Sequence, residues 1–284
     1  MKHDKKILAL PLLFLVMAFA PSQPQNNNYC CAISDFAALA QDPNFGQAHE
    51  LPRPLTNSPE KKGKFVQFPT LGDITEGRAF VVPGKKNTKK VLFMIHEWWG
   101  LNDHIQEEAI RYQADLGNEV TVVALDLYDG KLAQTREEAG QYMQGVSIER
   151  ARQIIHGAFN YVGTDARVAT IGWCFGGGWS LQTALLLREQ ASACVIYYGM
   201  PEKDPEVLKN LSAPVLGIFA EQDRWITPQV AEDFAAQLRE RKHPVDIHIY
   251  PADHAFANPT SPRYVEAHAQ DARQKTLDFL KANI

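Results

Sequence analysis

The chain has few cysteines, little net charge and no internal repeat. Its 284 residues include four cysteines, none in a C-x-x-C pair, so neither a disulfide scaffold nor a zinc or redox pair of that kind is expected. The formal net charge of −4 gives no indication of a nucleic-acid partner. Hydrophobic residues make up 45% and charged residues 22% of the chain, which excludes a disordered or collagen-like protein. The length allows one large domain or two small ones.

The apolar run near the start of the chain is short. Three lysines within the first six residues precede residues 7–20, which carry no charge. Fourteen residues in a helix rise about 21 Å, less than the roughly 30 Å core of a bilayer, so no stable membrane span is expected. The pattern predicts a secretory signal peptide over residues 1–20, and hence export to the periplasm or beyond. An uncleaved anchor and a mistaken start codon are the alternatives, and Pro21 is unfavourable for cleavage directly before it.

Residues 21–60 are rich in Pro, Asn and Gln and contain one short apolar patch, residues 35–40. This composition predicts an N-terminal arm or linker, extended except for one helical turn. Cys30 and Cys31 are adjacent, so a bridge between them would be strained. They are either surface thiols or pair with another chain. The main domain is expected over residues 61–284.

From residue 64 onward, short apolar runs alternate with longer amphipathic stretches. The run at residues 91–95 is apolar throughout, as in a parallel strand that is covered on both faces. The alternation predicts an α/β fold with a mostly parallel central sheet and helices on both faces. Such sheets bind ligands at the carboxyl ends of their strands. The predicted strands are 64–68, 77–82, 91–95, 120–125, 168–171, 193–197, 215–219 and 246–250, and the predicted helices are 103–116, 136–143, 148–161, 177–188, 228–241 and 267–282.

The sequence GWCFG at residues 172–176 lies directly between a predicted strand and a predicted helix. It matches the G-x-nucleophile-x-G turn, in which glycines permit a sharp turn that presents the central side chain. Cys174 would lie at a helix N-terminus, where the dipole and free N–H groups favour a thiolate. The alternative is an inert buried cysteine beside a glycine-rich turn. Cys194, inside an apolar strand, is expected to be such a core residue.

Two further residues follow the ends of predicted strands, in the chain order nucleophile, acid, histidine that such folds use. Asp223 and His254 each come just after an apolar run. A cysteine nucleophile needs a base, and the base needs an orienting acid. We therefore predict a set of Cys174, His254 and Asp223, with Glu221 as a weaker candidate for the acid.

The other histidines are assigned no chemistry. His3 falls in the predicted signal peptide and His49 in the predicted arm, and the rest fall in helices, loops or a late strand. His96 and Glu97 do not form an H-E-x-x-H pair, and no spacing in the sequence assembles three metal ligands. The sequence therefore predicts no metal and no cofactor.

These motifs resemble those of the dienelactone hydrolase (carboxymethylenebutenolidase) family. The resemblance rests on IHEWWGLN at residues 95–102, GWCFGG at residues 172–177 and the loops at Asp223 and His254, and it covers the chain from about residue 64 to its end. It implies an α/β-hydrolase fold and a Cys-Asp-His triad that opens an enol lactone through a thioester intermediate.

The resemblance also implies a role for each matching residue. The nucleophile would be Cys174, the base His254 and the orienting acid Asp223. Further residues would shape or control the site, and they are the thiol-controlling Glu97, the backbone N–H donors of the oxyanion hole Trp98 and Phe175, and the carboxylate-binding Arg136.

The sequence departs from the family pattern at two substrate-binding positions. Asn258 stands where the family has a second carboxylate-binding arginine, and Gly140 stands where it has a tyrosine. Loss of one charged hydrogen bond weakens binding by roughly 1.5–3 kcal/mol. We therefore expect neutral esters or larger lactones to compete well with dienelactone.

All five tryptophans lie within five residues of Glu97, Cys174 or Asp223. Tryptophan often only fills a core, but this clustering predicts that some of them, Trp99 and Trp225 among them, line an aromatic pocket. The leading hypothesis is thus a hydrolase of small carboxylic esters or lactones, with no signal for an oligomeric state. The alternative is a non-catalytic protein of the same fold that binds a small ligand. A thiol acyltransferase or a redox protein that uses Cys174 is a further possibility.

Overall fold

One eight-stranded sheet organises the main domain. The structure, a computed structural model, describes residues 31–53, 62–72 and 76–284. The strands of the sheet are β1 (Lys64–Pro69), β2 (Glu76–Val82), β3 (Lys90–Ile95), β4 (Thr121–Leu125), β5 (Arg167–Trp173), β6 (Ala191–Tyr197), β7 (Val215–Ala220) and β8 (Val245–Tyr250). They lie side by side in the order β1-β2-β4-β3-β5-β6-β7-β8. The pairs β1–β2 and β2–β4 are antiparallel, and the other neighbouring pairs are parallel. The predicted α/β fold with a mostly parallel sheet is confirmed.

The central strands are covered on both faces. Residues 91–95 of β3 and all of β6 are buried. Because successive side chains of a strand point to opposite faces, such complete burial requires cover on both sides of the sheet. Residues 91–95 of β3 and 193–197 of β6 are uninterrupted apolar runs in the sequence, which is why pattern alone located them.

Nine α-helices occur among the described residues. They are α1 (Cys31–Ala38), α2 (Pro43–Ala48), α3 (Asp103–Asp115), α4 (Arg136–Gly145), α5 (Ile148–Val162), α6 (Phe175–Leu187), α7 (Pro205–Leu208), α8 (Pro228–Glu240) and α9 (Glu266–Asn283). Several begin at a polar residue whose side chain accepts a hydrogen bond from a backbone N–H of the first turn, as Asn102 does for α3 and Thr227 for α8. The four-residue α7 was not predicted because it is too short to show a helical period.

Residues 31–53, here called the N-terminal segment, differ from the predicted extended arm. They contain α1, a 3₁₀ turn at Leu39–Gln41 and α2. Ile33, Phe36 and Phe45 are buried in the same hydrophobic core as the main domain. The prediction of a mostly extended arm is therefore wrong for this part, because these apolar side chains gain enough burial on the main domain to order short helices.

Two local signals explain where these helices form. Ile33 and Phe36 are three residues apart, a spacing that places them on one helical face. Asp42 caps α2 by accepting a hydrogen bond from the Asn44 N–H at 2.8 Å, and Pro43 occupies the first position of that helix. Both signals span less than two turns, too few to stand out in a polar stretch.

The predicted signal peptide, residues 1–20, lies outside the described residues, and so does Cys30. In the part of the chain that the structure describes, no helix combines the length and the apolar character that crossing a bilayer requires.

Candidate active site

Cys174 lies in a strained turn between β5 and α6. Its φ of 56° and ψ of −119° are unusual for a residue with a side chain. The flanking glycines permit the turn. A Cβ on Gly172 would come within 2.0 Å of the Gly176 carbonyl oxygen, and one on Gly176 within 2.2 Å of the Ile95 carbonyl oxygen. The turn therefore has the tight geometry that the sequence GWCFG predicts.

His254 is tied to Asp223 by a buried hydrogen bond. Asp223 follows β7 and His254 follows β8, so both lie beyond the carboxyl ends of neighbouring strands. His254 Nδ1 lies 2.5 Å from Asp223 Oδ2, and both side chains are fully buried. Asp223 Oδ1 accepts hydrogen bonds from the N–H groups of Trp225 and Ile226 at 2.9 and 3.0 Å. Glu221, the weaker candidate for the acid, is exposed.

The bond to Asp223 leaves the other ring nitrogen of His254 for chemistry. His254 Nε2 has no hydrogen-bond partner among the described residues. A ring nitrogen of His254 lies within 4.8 Å of the Cys174 sulfur. Because Nδ1 is engaged by Asp223, Nε2 is the nitrogen available to take the thiol proton.

The charges of the three residues are coupled. Burial opposes a charge on His254, but Asp223 and Cys174 together raise the pKa of the imidazole well above its ordinary value. Burial also opposes a charge on Asp223, yet His254 and the two backbone N–H groups hold its pKa below the usual range. The pKa of the Cys174 thiol is raised by burial, against the opposing effects of His254 and of the Phe175 N–H. Burial therefore favours the thiol form of Cys174, whereas Asp223 and a thiolate at Cys174 both favour a proton on His254.

Glu97 lies beside the thiol and is held by Asn258. Burial raises the pKa of Glu97 to about 7. Its Oε2 accepts a hydrogen bond from Asn258 Nδ2, whereas Oε1 has no hydrogen-bond partner among the described residues. Asn258 Oδ1 in turn accepts from the N–H and hydroxyl of Thr260 at 2.8 and 2.7 Å, which fixes the amide with its NH₂ toward Glu97. Asn258 therefore positions Glu97.

The cavity above the thiol is very small. Its volume of about 20 Å³ is room for a single water molecule. Five predicted site residues line it, and they are Glu97, Trp98, Trp99, Cys174 and Asn258. His49, Glu50 and Pro52 of the N-terminal segment line it too. The segment thus forms one wall of the cavity and closes the approach to the sulfur.

The two expected oxyanion-hole residues both lie near Cys174. The Phe175 N–H interacts with the Cys174 sulfur. Trp98 directly follows Glu97, and its carbonyl accepts a hydrogen bond from the Tyr128 hydroxyl at 3.1 Å. The donation of both N–H groups to an oxyanion stays a prediction.

Arg136 and Trp225 hold the N-terminal segment. Arg136 Nε donates to the His49 carbonyl at 2.7 Å, and Trp225 Nε1 donates to Asp42 Oδ2 at 3.1 Å. The Trp225 ring also packs against Phe45, with 5.2 Å between ring centroids. Neither side chain is among those that line the cavity. Their predicted contacts with substrate remain predictions, because both are engaged by the segment here.

The remaining tryptophans fill the core. Trp173 packs against Tyr112 and Tyr197, and Trp179 packs against Phe175. Of the five clustered tryptophans, Trp98 and Trp99 line the cavity.

His49 is the residue that sequence reasoning missed. It is buried, with Nδ1 at 2.7 Å from the Phe45 carbonyl oxygen and Nε2 at 3.8 Å from the Cys174 sulfur. Burial lowers its pKa to about 3, so the ring is neutral. No motif marks this histidine, because only the docking of the N-terminal segment brings it to the site.

Three side chains with metal-ligating atoms meet here. One ring nitrogen of His49, one of His254 and the Cys174 sulfur all lie within 4.8 Å of one another. Sequence spacing predicted no such set, and on this point the expectation is wrong. The fold joins a segment near residue 49 to turns that lie more than 120 residues away.

Comparisons with known proteins point to one family. The pattern of the Dienelactone hydrolase family matches residues 78–284. Protein usf of Aquifex pyrophilus is 26% identical over 232 residues, which are 77% of this chain and 98% of that protein. Carboxymethylenebutenolidase 1 of Cupriavidus pinatubonensis is 24% identical over 220 residues, or 72% of this chain and 92% of that protein.

Solved structures share the fold. A putative dienelactone hydrolase from Klebsiella pneumoniae superposes with a TM-score of 0.65 at 20% identity, covering 77% of this chain and 98% of its own. A dienelactone hydrolase-like promiscuous phosphotriesterase from metagenomic libraries gives 0.67 at 19% identity, covering 78% and 99%. The N-terminal segment lies outside the stretch that the family pattern matches.

Proposed function

This chain belongs to the dienelactone hydrolase family and is a hydrolase of carboxylic esters or lactones, and we propose that it cleaves them through Cys174, His254 and Asp223. One observation carries the proposal. The bond between His254 Nδ1 and Asp223 Oδ2 leaves Nε2 to serve a cysteine held in the strained turn. This is the relation of nucleophile, base and orienting acid that covalent acyl transfer requires.

The proposed reaction proceeds through a thioester. His254 Nε2 takes the Cys174 proton while the sulfur forms a bond to the substrate carbonyl carbon, and the carbonyl electron pair moves onto oxygen. The N–H groups of Trp98 and Phe175 donate to that oxyanion. Its collapse breaks the carbon–oxygen bond of the ester, and the departing alkoxide takes the proton from His254. A water molecule, deprotonated by His254, then attacks the thioester and the sulfur leaves with that proton.

Glu97 has the position and ionisation for control of the thiol. Its carboxylate is among the influences that raise the pKa of Cys174. A negative charge there disfavours the thiolate until substrate displaces or neutralises it, which limits oxidation of the resting sulfur. Glu97→Gln should therefore make Cys174 react faster with iodoacetamide. An unchanged alkylation rate would remove this role from Glu97.

The substrate must displace the N-terminal segment. A cavity of about 20 Å³ is far below the roughly 300–1,000 Å³ of ordinary small-molecule sites. His49, Glu50 and Pro52 are the lining residues that leave when the segment moves. Trp98 and Trp99 remain and provide an aromatic wall suited to apolar acyl or alcohol groups.

We further propose that the protein is exported. The basic start of the chain, the apolar run at residues 7–20 and its length support a signal peptide. An exported thiol hydrolase meets less reducing conditions than a cytosolic one. Both the buried thiol and the closed segment suit that setting.

The decisive experiment combines a substrate panel with acyl trapping. Neutral esters, anionic esters and small lactones are incubated with the wild type, Cys174→Ala and the matched control Cys194→Ala, and the intact protein mass is measured after quenching. Turnover and an acyl adduct should occur in the wild type and in Cys194→Ala, and both should vanish in Cys174→Ala. Hydrolysis at near wild-type rate by Cys174→Ala would reject the cysteine nucleophile. Ligand binding without turnover across the panel would favour the non-catalytic alternative.

A further inference from the structure

His49, Cys174 and His254 form a cluster of nitrogen and sulfur atoms that acyl transfer does not need in full. Hydrolysis uses one histidine, whereas two histidines face the sulfur. We propose that these three residues bind a thiophilic divalent cation such as Zn²⁺, and that the bound ion locks the N-terminal segment over the site. Inhibition by the ion rests on the proposed function; binding of the ion does not.

The spacing of the ligand atoms suits a tetrahedral ion. Zn–S bonds of about 2.3 Å and Zn–N bonds of about 2.0–2.1 Å at tetrahedral angles place neighbouring ligand atoms roughly 3.3–3.6 Å apart. His49 Nε2 lies 3.8 Å from the Cys174 sulfur, and all three ligand atoms lie within 4.8 Å of one another. Contraction to the bonded geometry thus shortens these distances by at most about 1.5 Å, a change that two side chains can share.

Both imidazoles are already oriented as metal ligands. Histidines that bind metals donate their second ring N–H to a carboxylate or a backbone carbonyl. His254 does so through Nδ1 to Asp223 Oδ2 at 2.5 Å, and His49 through Nδ1 to the Phe45 carbonyl oxygen at 2.7 Å. With Nδ1 engaged, each ring has Nε2 left for the metal ion.

The cavity has room for the fourth ligand of a tetrahedral metal ion. Its volume of about 20 Å³ holds one water molecule, the usual fourth ligand of a zinc ion with three protein ligands. Glu97 lines the same cavity, and its Oε1 has no hydrogen-bond partner among the described residues, so it is free to accept a hydrogen bond from a water there. A thiolate and a nearby carboxylate also match the ion's charge.

Binding exchanges the thiol proton for the metal ion. The S–H bond breaks, the sulfur–metal bond forms, and the thiol proton leaves to solvent together with any proton on His254 Nε2, with no change of oxidation state. The ion then occupies the lone pairs that the nucleophile and the base use. Because His49 belongs to the N-terminal segment, the same ion fastens the segment to the main domain and closes the entrance.

The test uses the full-length protein with Zn²⁺ and Co²⁺. Co²⁺ bound by a thiolate gives a sulfur-to-metal charge-transfer absorption, so equilibrium titrations report both stoichiometry and the sulfur ligand. The wild type should bind one equivalent and show this band. Affinity should fall about 100-fold or more in His49→Ala and in Cys174→Ala, since loss of a ligand exceeds the roughly 10–100-fold effect of losing an outer partner. His248→Ala, which removes a histidine paired with Asp246 on β8, serves as the matched control and should bind normally.

Two further readouts separate metal binding from hydrolysis and from misfolding. Zn²⁺ should protect the N-terminal segment from limited proteolysis in the wild type but not in His49→Gln, a variant that keeps a polar side chain of similar length. Zn²⁺ should also inhibit ester hydrolysis, with the inhibitory concentration raised at least tenfold in His49→Gln. Equal affinity of the wild type and both His49 variants would overturn the proposal. Metal binding with no hydrolysis of any ester would leave the site standing and reject the proposed function, and hydrolysis without metal binding would do the reverse.

Discussion

The main domain and the N-terminal segment each bring one histidine to Cys174, by different physical means. His254 follows β8 in a sheet whose strands are covered on both faces, and a buried bond to Asp223 fixes it. His49 arrives on a segment held by the Phe45 side chain and a few hydrogen bonds, such as those from Arg136 and Trp225. The first histidine is a fixed part of the fold. The second is present only while the segment is docked, so the proposed displacement of the segment by substrate would remove it from the site.

The largest expected effect concerns the main domain. Asp223→Asn should leave the fold intact and lower kcat by about 10⁴, the size of the corresponding loss in the serine protease example, because an amide no longer selects the working tautomer of His254. Steady-state kinetics on the best ester of the panel measures it. Glu221→Gln, which changes an exposed neighbour on the same loop, is the control. If both variants lose the same amount, Asp223 is not the orienting acid.

A substitution in the N-terminal segment should make the Cys174 thiol more accessible. Phe45 is fully buried and packs against Trp98 and Trp225. Phe45→Ala should weaken docking by about 3 kcal/mol or more, which accelerates alkylation of Cys174 by iodoacetamide about 100-fold.

The control for this experiment is Phe65→Ala, which removes an exposed ring from β1. Thermal unfolding of the main domain should be similar in both variants, since the segment opens locally. An alkylation rate for Phe45→Ala equal to that of Phe65→Ala would mean that the segment does not guard the thiol.

Glu97 lies where the two regions meet, and its ionisation should make stability depend on pH. Its pKa rises from an ordinary 4.5 to about 7 in the folded protein. The folded state therefore holds the proton more tightly than the unfolded chain. The stabilisation from the protonated Glu97 carboxyl is fully present below about pH 4.5 and is lost as pH rises through about 7. At about pH 7 the free energy of unfolding is lower by about 3 kcal/mol than below pH 4.5.

Urea unfolding at several pH values, compared between the wild type and Glu97→Gln, measures this dependence. The glutamine variant should lose less stability between about pH 4.5 and 7, while Glu240→Gln, at an exposed position, should follow the wild type. Parallel curves for the wild type and Glu97→Gln would show that Glu97 ionises normally in the fold.

The smallest expected effect concerns Asp42, which both caps a helix and helps to hold the N-terminal segment on the main domain. Asp42 caps α2 and also accepts from Trp225 Nε1, whereas Asp204 caps α7 through the Glu206 N–H. Asp42→Ala removes both hydrogen bonds and should loosen the segment, which raises the alkylation rate of Cys174 by up to about tenfold. Asp204→Ala removes a similar cap elsewhere and should leave that rate unchanged. Equal rates in the two variants would assign Asp42 a merely local role.

The same contrast explains what could be predicted from the sequence. The ends of predicted strands and the spacing of glycines predicted Cys174, Asp223 and His254. Both signals are local patterns that can be recognised in the sequence. The contact of Glu97 with Asn258 joins residues 161 positions apart and has no local signal. The docking of His49 depends on short apolar spacings in a polar stretch, which favour an extended arm until the surface that buries them is known.

Arg136 makes docking of the N-terminal segment sensitive to negatively charged ligands. Its Nε–H is used by the His49 carbonyl, a neutral acceptor, while the segment is docked. A carboxylate is a stronger acceptor for a guanidinium than a carbonyl is, and one N–H serves one of them at a time. Anion binding at that N–H would therefore compete with one hydrogen bond of the docked segment, and by thermodynamic linkage each would weaken the other. A negatively charged ligand that binds Arg136 would thus favour opening of the N-terminal segment.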